Sequence, residues 1–209
     1  MLSDIRTYFA ENSTEYWGYV WQHISLSIEA LLVSLILGVF LGWYAYRHPK
    51  LKQFVTSFSQ ILRVVPSLGV LFILIPLIGV GHLPALIALV FLGLSPIMVN
   101  TLVVLEEVPS DLLETGRGLG MTQNQLMVKV SFPLALPYLL NGIKLSLVEI
   151  IASATLATYI GAGGLGNLIF TGLGLYRYDL LVIGGLSVAL LSFLSMLILD
   201  LGIRWSSVK

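Results

Sequence analysis

Leu83–Leu105, with the sequence LPALIALVFLGLSPIMVNTLVVL, runs through the middle of the chain without a charged residue. An α-helix rises about 1.5 Å per residue, so roughly 20 apolar residues cross the ~30 Å hydrocarbon core of a bilayer. This segment is long enough for one crossing. It therefore predicts a transmembrane helix, and the rest of the chain can be searched for others of the same kind.

Four further apolar segments flank this one, and none carries more than two charged residues. They are Ile24–Tyr46, Ile61–Ile78, Leu134–Ile160 and Leu180–Ile203. Pro66 and Pro76 interrupt the second of them, which makes the number of crossings less regular there. The pattern predicts an all-α integral membrane protein with about five transmembrane helices, or six, in a single domain over residues 1–209.

The composition excludes several classes of protein. The 209 residues are 57% hydrophobic and 11% charged, against roughly 45–50% and about 25% in soluble domains. The formal net charge is zero, which leaves no basic surface for nucleic acid. With no cysteine and three scattered histidines, neither a disulfide nor a metal site is expected.

The basic residues predict the orientation. Arg47, Lys50 and Lys52 lie between the first two apolar segments, while acidic residues dominate before Ile24. Because cytoplasmic loops are enriched in Lys and Arg, we expect the N-terminus outside the cell and the C-terminus in the cytoplasm. The same topology places residues 106–133 in the cytoplasm and residues 161–179 outside.

The cytoplasmic segment Val108–Pro137 reads VPSDLLETGRGLGMTQNQLMVKVSFPLALP. It predicts a helix that begins near Ser110 or Asp111 and bends near Gly120. Thr122 and Gln125 have the spacing of a capping box for a second short helix, which Pro133 and Pro137 would end. Apolar residues of that second helix, Leu126 and Val130 among them, predict a face that fits a groove in a soluble partner.

This segment resembles the signature loop of the permease subunits of binding-protein-dependent ABC importers. The family pattern is Glu-Ala-Ala, three residues, Gly, nine residues, an aliphatic, one residue, an aliphatic and Pro. Glu114, Thr115, Gly116, Gly120, Val130, Phe132 and Pro133 occupy the corresponding places, with Thr115 and Gly116 in place of the alanines. The resemblance implies that the loop couples this chain to an ATPase, through Asp111, Glu114, Thr115, Gly116, Arg117, Gly120, Met121, Val130 and Pro133.

Other segments resemble the permeases for glycine betaine, carnitine, choline and related osmoprotectants. They are Arg63–Ser67, Leu74–Pro76, Leu94–Ile97, Arg117–Thr122 and Ala157–Gly166. Methionine importer permeases are also similar, with the same loop and a glycine run before a motif like Tyr176-Arg-Tyr178. The resemblance implies a type I importer permease fold in the cytoplasmic membrane of a bacterium.

The same resemblance implies a set of partners. These are two ATP-binding subunits, a second permease that is identical or related, an extracytoplasmic substrate-binding protein and the lipid bilayer. No phosphate-binding Gly-x-x-x-x-Gly-Lys-Ser/Thr motif occurs in the chain, so ATP and Mg²⁺ would be held by the partner ATPase and no cofactor by this chain. An intramembrane enzyme that uses Glu149 and a scaffold that transports nothing are the alternative hypotheses.

Polar residues within the apolar segments are candidates for the translocation path. The candidates are Pro66, Ser67, Asn100, Ser146, Glu149 and Ser153. Glu149 lies near mid-membrane on one helical face with Ser146 and Ser153, where an ionisable group usually faces a bundle interior or a water-filled path. Either Glu149 lines the path or its carboxyl group holds helices together. For Asn100, hydrogen bonding between helices is the alternative role.

Glycines mark two further sites. Gly161, Gly163, Gly164 and Gly166 formally match a dinucleotide-binding fingerprint, but they follow a membrane segment instead of a strand. We expect a tight, re-entrant or hinge-like backbone at the outer face, with a merely flexible loop as the alternative. The Gly38-x-x-x-Gly42 pattern predicts close helix packing, within the chain or between subunits.

Overall fold

A computed structural model of the protein describes residues 2–65 and 67–207, and the part described is helical with short turns. The α-helices are α1 (Leu2–Arg47), α2 (Pro49–Val64), α3 (Ser67–Ile78), α4 (His82–Glu106), α5 (Ser110–Gly118), α6 (Gln123–Leu126), α7 (Phe132–Ala154), α8 (Gly166–Gly174) and α9 (Tyr178–Ser207). A π-helical segment, Met127–Ser131, joins α6 to α7, and a 3₁₀ helix, Thr155–Ile160, follows α7. The all-α class is confirmed.

Four helical runs of the described chain are long and apolar enough to cross a membrane. They are Ser3–Arg47, His82–Glu106, Gln123–Ile160 and Tyr178–Trp205. Each contains one of the segments expected to span the bilayer. The chain is thus built around four long helices, and α5 with α6 forms a hairpin at one end of them.

The apolar segment Ile61–Ile78 is interrupted before Pro66, as predicted, whereas the predicted interruption at Pro76 is wrong because Pro76 lies inside α3. The chain breaks at Val65, whose backbone is extended (φ −71°, ψ 120°). A residue that precedes a proline is disfavoured in the α conformation, and Val65 precedes Pro66, which lies outside the described residues. The two shorter helices α2 and α3 replace the predicted span.

Helices α2 and α3 nevertheless follow α4 along its length. Lys52 Nζ of α2 lies 2.7 Å from Glu106 Oε2 at the end of α4, and the hydroxyl groups of Ser59 and Ser95 are hydrogen-bonded farther along. Leu71 of α3 joins the buried cluster formed by the first half of α4. The pair therefore runs antiparallel to α4.

Small residues allow α1 and α4 to pack in close contact. A Cβ added to Gly38 would lie 2.9 Å from the Cβ of Ile97, and one added to Gly42 would lie 2.6 Å from the carbonyl oxygen of Met98. Both distances are shorter than side chains tolerate, so only glycine permits this approach. The predicted packing role of Gly38 and Gly42 is confirmed, and it is exercised within the chain.

An ion pair joins α7 to α9. Lys144 Nζ lies 2.7 Å from Asp200 Oδ1, and the Lys144 side chain is 20% exposed. Removing one charge leaves the other without this partner inside an apolar bundle, which is costly. We expect Lys144→Met to lower the melting temperature in detergent, measured by tryptophan fluorescence, and Lys144→Met with Asp200→Leu to recover most of the loss. Additive losses in the double variant would contradict this pairing.

Candidate coupling hairpin and glycine turn

The hairpin formed by residues 106–133, called the coupling hairpin below, bends at Gly120. Gly120 has a left-handed backbone with φ +82°. Its N–H donates to the carbonyl of Arg117 (2.9 Å), and the N–H of Met121 donates to the carbonyl of Gly116 (3.0 Å). These two bonds form a Schellman motif, the ordinary way in which glycine ends a helix. The predicted bend at Gly120 is confirmed.

A capping box starts the second helix of the coupling hairpin. The Thr122 hydroxyl accepts a hydrogen bond from the backbone N–H of Gln125 (3.3 Å), and the Gln125 side chain accepts one from the N–H of Thr122 (2.8 Å). Both bonds satisfy backbone groups that a helix start leaves unpaired. The local sequence therefore sets the geometry on both sides of the bend.

Gly116 holds the two helices of the coupling hairpin together. It is buried, and a Cβ at this position would collide with Leu126 Cδ2 and lie 3.2 Å from Met121 Sδ. Leu126 itself is 2% exposed. Thr115, by contrast, is exposed and its hydroxyl donates to the carbonyl of Asp111 (2.7 Å). Of the two residues that replace the family's alanines, Gly116 is the one on which this packing depends.

The outer surface of the coupling hairpin combines charges with exposed apolar side chains. Asp111, Glu114 and Arg117 are exposed on α5. Leu119 is 79% exposed at the tip, and Val128 is 68% exposed. Sequence analysis did not single out Leu119, although an apolar residue beside the bending glycine was a usable signal. Such a surface suits insertion into an apolar cleft of a partner.

The second helix of the coupling hairpin does not stop at its prolines, so the prediction that Pro133 and Pro137 end it is wrong. The helix continues through the π-helical segment into α7, and the N–H of Phe132 donates to the carbonyl of Met127, five residues back. Pro133 has no N–H to donate, and its ring would crowd the carbonyl four residues earlier. Wider π turns accommodate both effects, so the coupling hairpin is joined to α7 without a loop.

The candidate residues of the translocation path lie in different environments. Ser146 is buried and donates to the carbonyl of Gly93 (2.9 Å), next to Ser34, which donates to Val90 (3.1 Å). The Asn100 side chain donates to the carbonyl of Pro96 on its own helix (2.8 Å). The Ser146 bond thus joins α7 to α4, whereas the Asn100 bond lies within α4 and is not the bond between helices that was the alternative for this residue.

The other candidates for the translocation path are Glu149, Ser153, Pro66 and Ser67. Glu149 and Ser153 are partly buried on α7. Pro66 and the side chain of Ser67 lie outside the described residues. The role of Glu149 in the path therefore stays a prediction, and it can be separated from the packing role of Ser146 by matched variants.

We expect Glu149→Gln to reduce uptake per folded molecule about tenfold, equivalent to about 1.4 kcal/mol, which is more than any accompanying change in melting temperature would explain. The substitution removes the charge and keeps the shape. Ser146→Ala is the matched control, because losing its bond to Gly93 costs about 1 kcal/mol of stability and leaves transport per folded molecule unchanged. A purely thermal effect of Glu149→Gln would instead favour a carboxyl group that holds helices together.

The residues from Gly161 to Gly166, called the glycine turn below, form a tight turn. Gly161, Gly163 and Gly164 have φ values of +75°, +79° and +91°. The Thr158 hydroxyl donates to the carbonyl of Gly163 (3.0 Å). The turn follows a 3₁₀ helix instead of a strand, which is not the context of a dinucleotide fingerprint.

Two neighbouring residues of α1 lie against the glycine turn, and sequence analysis missed both: Gln22 is hydrogen-bonded to it, and a Cβ added to Gly164 would lie 3.1 Å from His23 Nδ1. The Gln22 side chain accepts a hydrogen bond from the N–H of Gly164 (3.0 Å). His23 is buried, and its Nε2 lies 2.9 Å from the carbonyl oxygen of Ile151. Gln22 and His23 are far from the turn in sequence, so no local pattern pointed to them.

Residues 34–207 match the family model of the binding-protein-dependent transport system inner membrane component. The chain is 45% identical to the carnitine transport permease protein OpuCB of Listeria monocytogenes over 90% of this chain and 86% of that protein. It is 37% identical to the glycine betaine/carnitine/choline transport system permease protein OpuCB of Bacillus subtilis, covering 92% and 89%.

A solved structure of the MetNI methionine ABC transporter in an inward-facing conformation has a similar fold. The TM-score is 0.83 at 23% identity, over 91% of this chain and 95% of that chain. At this identity the likeness concerns the fold alone. Together with the four apolar helices and the family match over residues 34–207, it supports one conclusion: the chain is a multi-pass membrane protein of the binding-protein-dependent transport system inner membrane component family, the permeases of bacterial ABC importers.

Proposed function

We propose that this chain is the permease subunit of an ATP-driven importer for osmoprotectants that carry a quaternary ammonium group, such as glycine betaine, carnitine and choline. The relatives named for these solutes are 37% and 45% identical and are covered almost end to end. The methionine transporter, by comparison, is similar in fold only.

The observation that carries the coupling role is the coupling hairpin. Gly116 and Leu126 hold its two helices together, and Leu119 at its tip is 79% exposed. A rigid element with an exposed apolar tip can transmit a push, whereas a flexible loop cannot. Because the hairpin continues through the π-helical segment into α7, a displacement of the hairpin acts directly on a membrane helix.

The partners in this proposal rest on the family to which the chain belongs and on the one coupling hairpin in the described part of the chain. One hairpin engages one ATP-binding subunit, so two permeases, identical or related, and two ATP-binding subunits complete the importer. ATP and Mg²⁺ bind to those subunits. An extracytoplasmic binding protein delivers the solute on the side of the N-terminus and the glycine turn, while the hairpin and the C-terminus face the cytoplasm.

The experiment is uptake of labelled carnitine, glycine betaine and choline by proteoliposomes. The chain is reconstituted with the ATP-binding subunit and binding protein encoded beside its gene. We expect uptake that requires ATP and the binding protein. An intact complex without uptake would favour a scaffold that transports nothing. ATP-dependent uptake of methionine alone would favour the methionine importer permeases. Turnover of a lipid or peptide without ATP would favour an intramembrane enzyme.

A further inference from the structure

A cavity of about 640 Å³ lies between the start of α1 and the connection from α8 to α9. We call it the N-terminal cavity. Its walls include the carboxyl groups of Asp4 and Glu11, the rings of Tyr8, Tyr176 and Tyr178, and the guanidinium group of Arg177. The volume lies within the range of roughly 300–1,000 Å³ that small-molecule sites occupy. Aromatic rings and carboxylates together favour an organic cation.

Tyr8 gives the N-terminal cavity an unused polar group. The residue is 6% exposed, and its hydroxyl has no hydrogen-bond partner among the atoms that the structure describes. A buried hydroxyl without a partner is costly, and this O–H can donate only to an acceptor such as a carboxylate oxygen. Leu165, Leu168, Leu180 and Ile183 pack around Tyr8, so its position is set without a ligand.

Arg177 adds a positive charge to the wall of the N-terminal cavity. Its Nη2 and Nε groups donate to the two carboxylate oxygens of Asp179, which is 6% exposed. These hydrogen bonds raise the pKa of the Arg177 guanidinium above its ordinary value. The guanidinium keeps further N–H groups for an anion, and its side chain is 50% exposed.

The tyrosines beside Arg177 present their rings at the rim of the N-terminal cavity. Tyr176 has a φ of 55°, which is uncommon for a residue other than glycine and is retained only where the surroundings impose it. Tyr176 is 81% exposed and Tyr178 is 66% exposed. Their ring faces are therefore free to contact a cation.

We propose that the N-terminal cavity binds a small zwitterion with a quaternary ammonium group at one end and a carboxylate at the other. The ammonium group, which has no N–H to donate, lies between the exposed rings of Tyr176 and Tyr178 and the carboxyl group of Glu11. The carboxylate lies at Arg177. The choice of ligand rests on the proposed function, and the site is a second place of contact for the transported solute, on the permease itself.

The test uses the transporter complex without its soluble binding protein, in nanodiscs of phosphatidylethanolamine and phosphatidylglycerol, which carry no quaternary ammonium headgroup. Saturation-transfer difference NMR on the N-methyl protons of glycine betaine measures binding. We expect a saturation-transfer signal from bound glycine betaine. An excess of 3,3-dimethylbutanoate, in which a neutral tert-butyl group replaces the trimethylammonium group, should not displace glycine betaine. Glu11→Gln and Tyr178→Leu each weaken the affinity at least about fivefold, the size of one cation contact. Glu29→Gln and Tyr159→Leu, matched changes outside the cavity, leave the affinity unchanged.

Three results would overturn this proposal: no saturation transfer, equal competition by the isostere, or equal affinity in the cavity variants and their controls. A further overturning result is a cavity variant that weakens only the affinity of the complex for the binding protein, because the surface would then be a protein contact. Uptake is measured separately. ATP-dependent uptake without glycine betaine binding at the cavity would therefore contradict the cavity site and leave the proposed function standing. Binding at the cavity without ATP-dependent uptake would contradict the proposed function and leave the cavity site standing.

Discussion

Replacing Gly120 by valine is expected to reduce the number of solute molecules imported per ATP hydrolysed about tenfold. The Cβ of valine would meet no atom within 4 Å, so space is not the constraint. The constraint is the φ of +82°, which costs a residue with a Cβ roughly 1–2 kcal/mol, and a β-branched one more. The Schellman motif then gives way, and the coupling hairpin no longer presents Leu119 in one fixed position.

The measurement compares ATP hydrolysis with uptake in the same proteoliposomes. Membrane insertion is expected to be unchanged, and the melting temperature should fall only by the amount that this backbone strain accounts for, because Gly120 is exposed and an added Cβ would meet no atom within 4 Å. Gly120→Asn is the matched control, since asparagine tolerates a left-handed backbone, and it should retain most of the coupling. Normal coupling in the valine variant would contradict the role assigned to the hairpin.

Replacing Gly166 by alanine is expected to cause the largest loss of folded protein of any single-methyl change in the glycine turn. A Cβ at Gly166 would overlap the backbone carbonyl oxygen of Thr155 and lie 2.5 Å from the Thr158 hydroxyl. Backbone atoms cannot move aside as a flexible side chain can, so the 3₁₀ helix and α8 must separate. Overpacking of this kind costs about 1–3 kcal/mol or more.

Two matched alanine variants separate the cost of overpacking from the cost of backbone strain. Gly174→Ala, at the end of the same helix, meets no atom within 4 Å and should leave the melting temperature unchanged. Gly161→Ala also has free space but has a φ of +75°, so it should show the moderate cost of backbone strain alone. The melting temperatures should therefore fall in the order Gly174→Ala, Gly161→Ala, Gly166→Ala. An unchanged Gly166→Ala protein would mean that α8 does not pack as described.

Local chemistry accounts for the features that were predictable from the amino-acid sequence. Four of the apolar segments became long helices, because hydrophobicity over about 20 residues is sufficient to indicate a crossing. The bend at Gly120 and the capping box of Thr122 and Gln125 were predictable because turn and cap residues act on neighbours within a few positions. The signature of the coupling hairpin lies in the same short stretch, so the family resemblance was predictable too.

The contacts between residues far apart in the sequence were decided by the packing of the helices. The bonds of Gln22 to Gly164 and of His23 to Ile151 join residues 142 and 128 positions apart, and no periodicity indicates such partners. The same holds for the pairing of Lys144 with Asp200 and for the placement of Tyr8 beside Arg177. Hydrophobicity and turn propensity act along the chain, whereas these contacts exist only once the helices have taken their positions against one another.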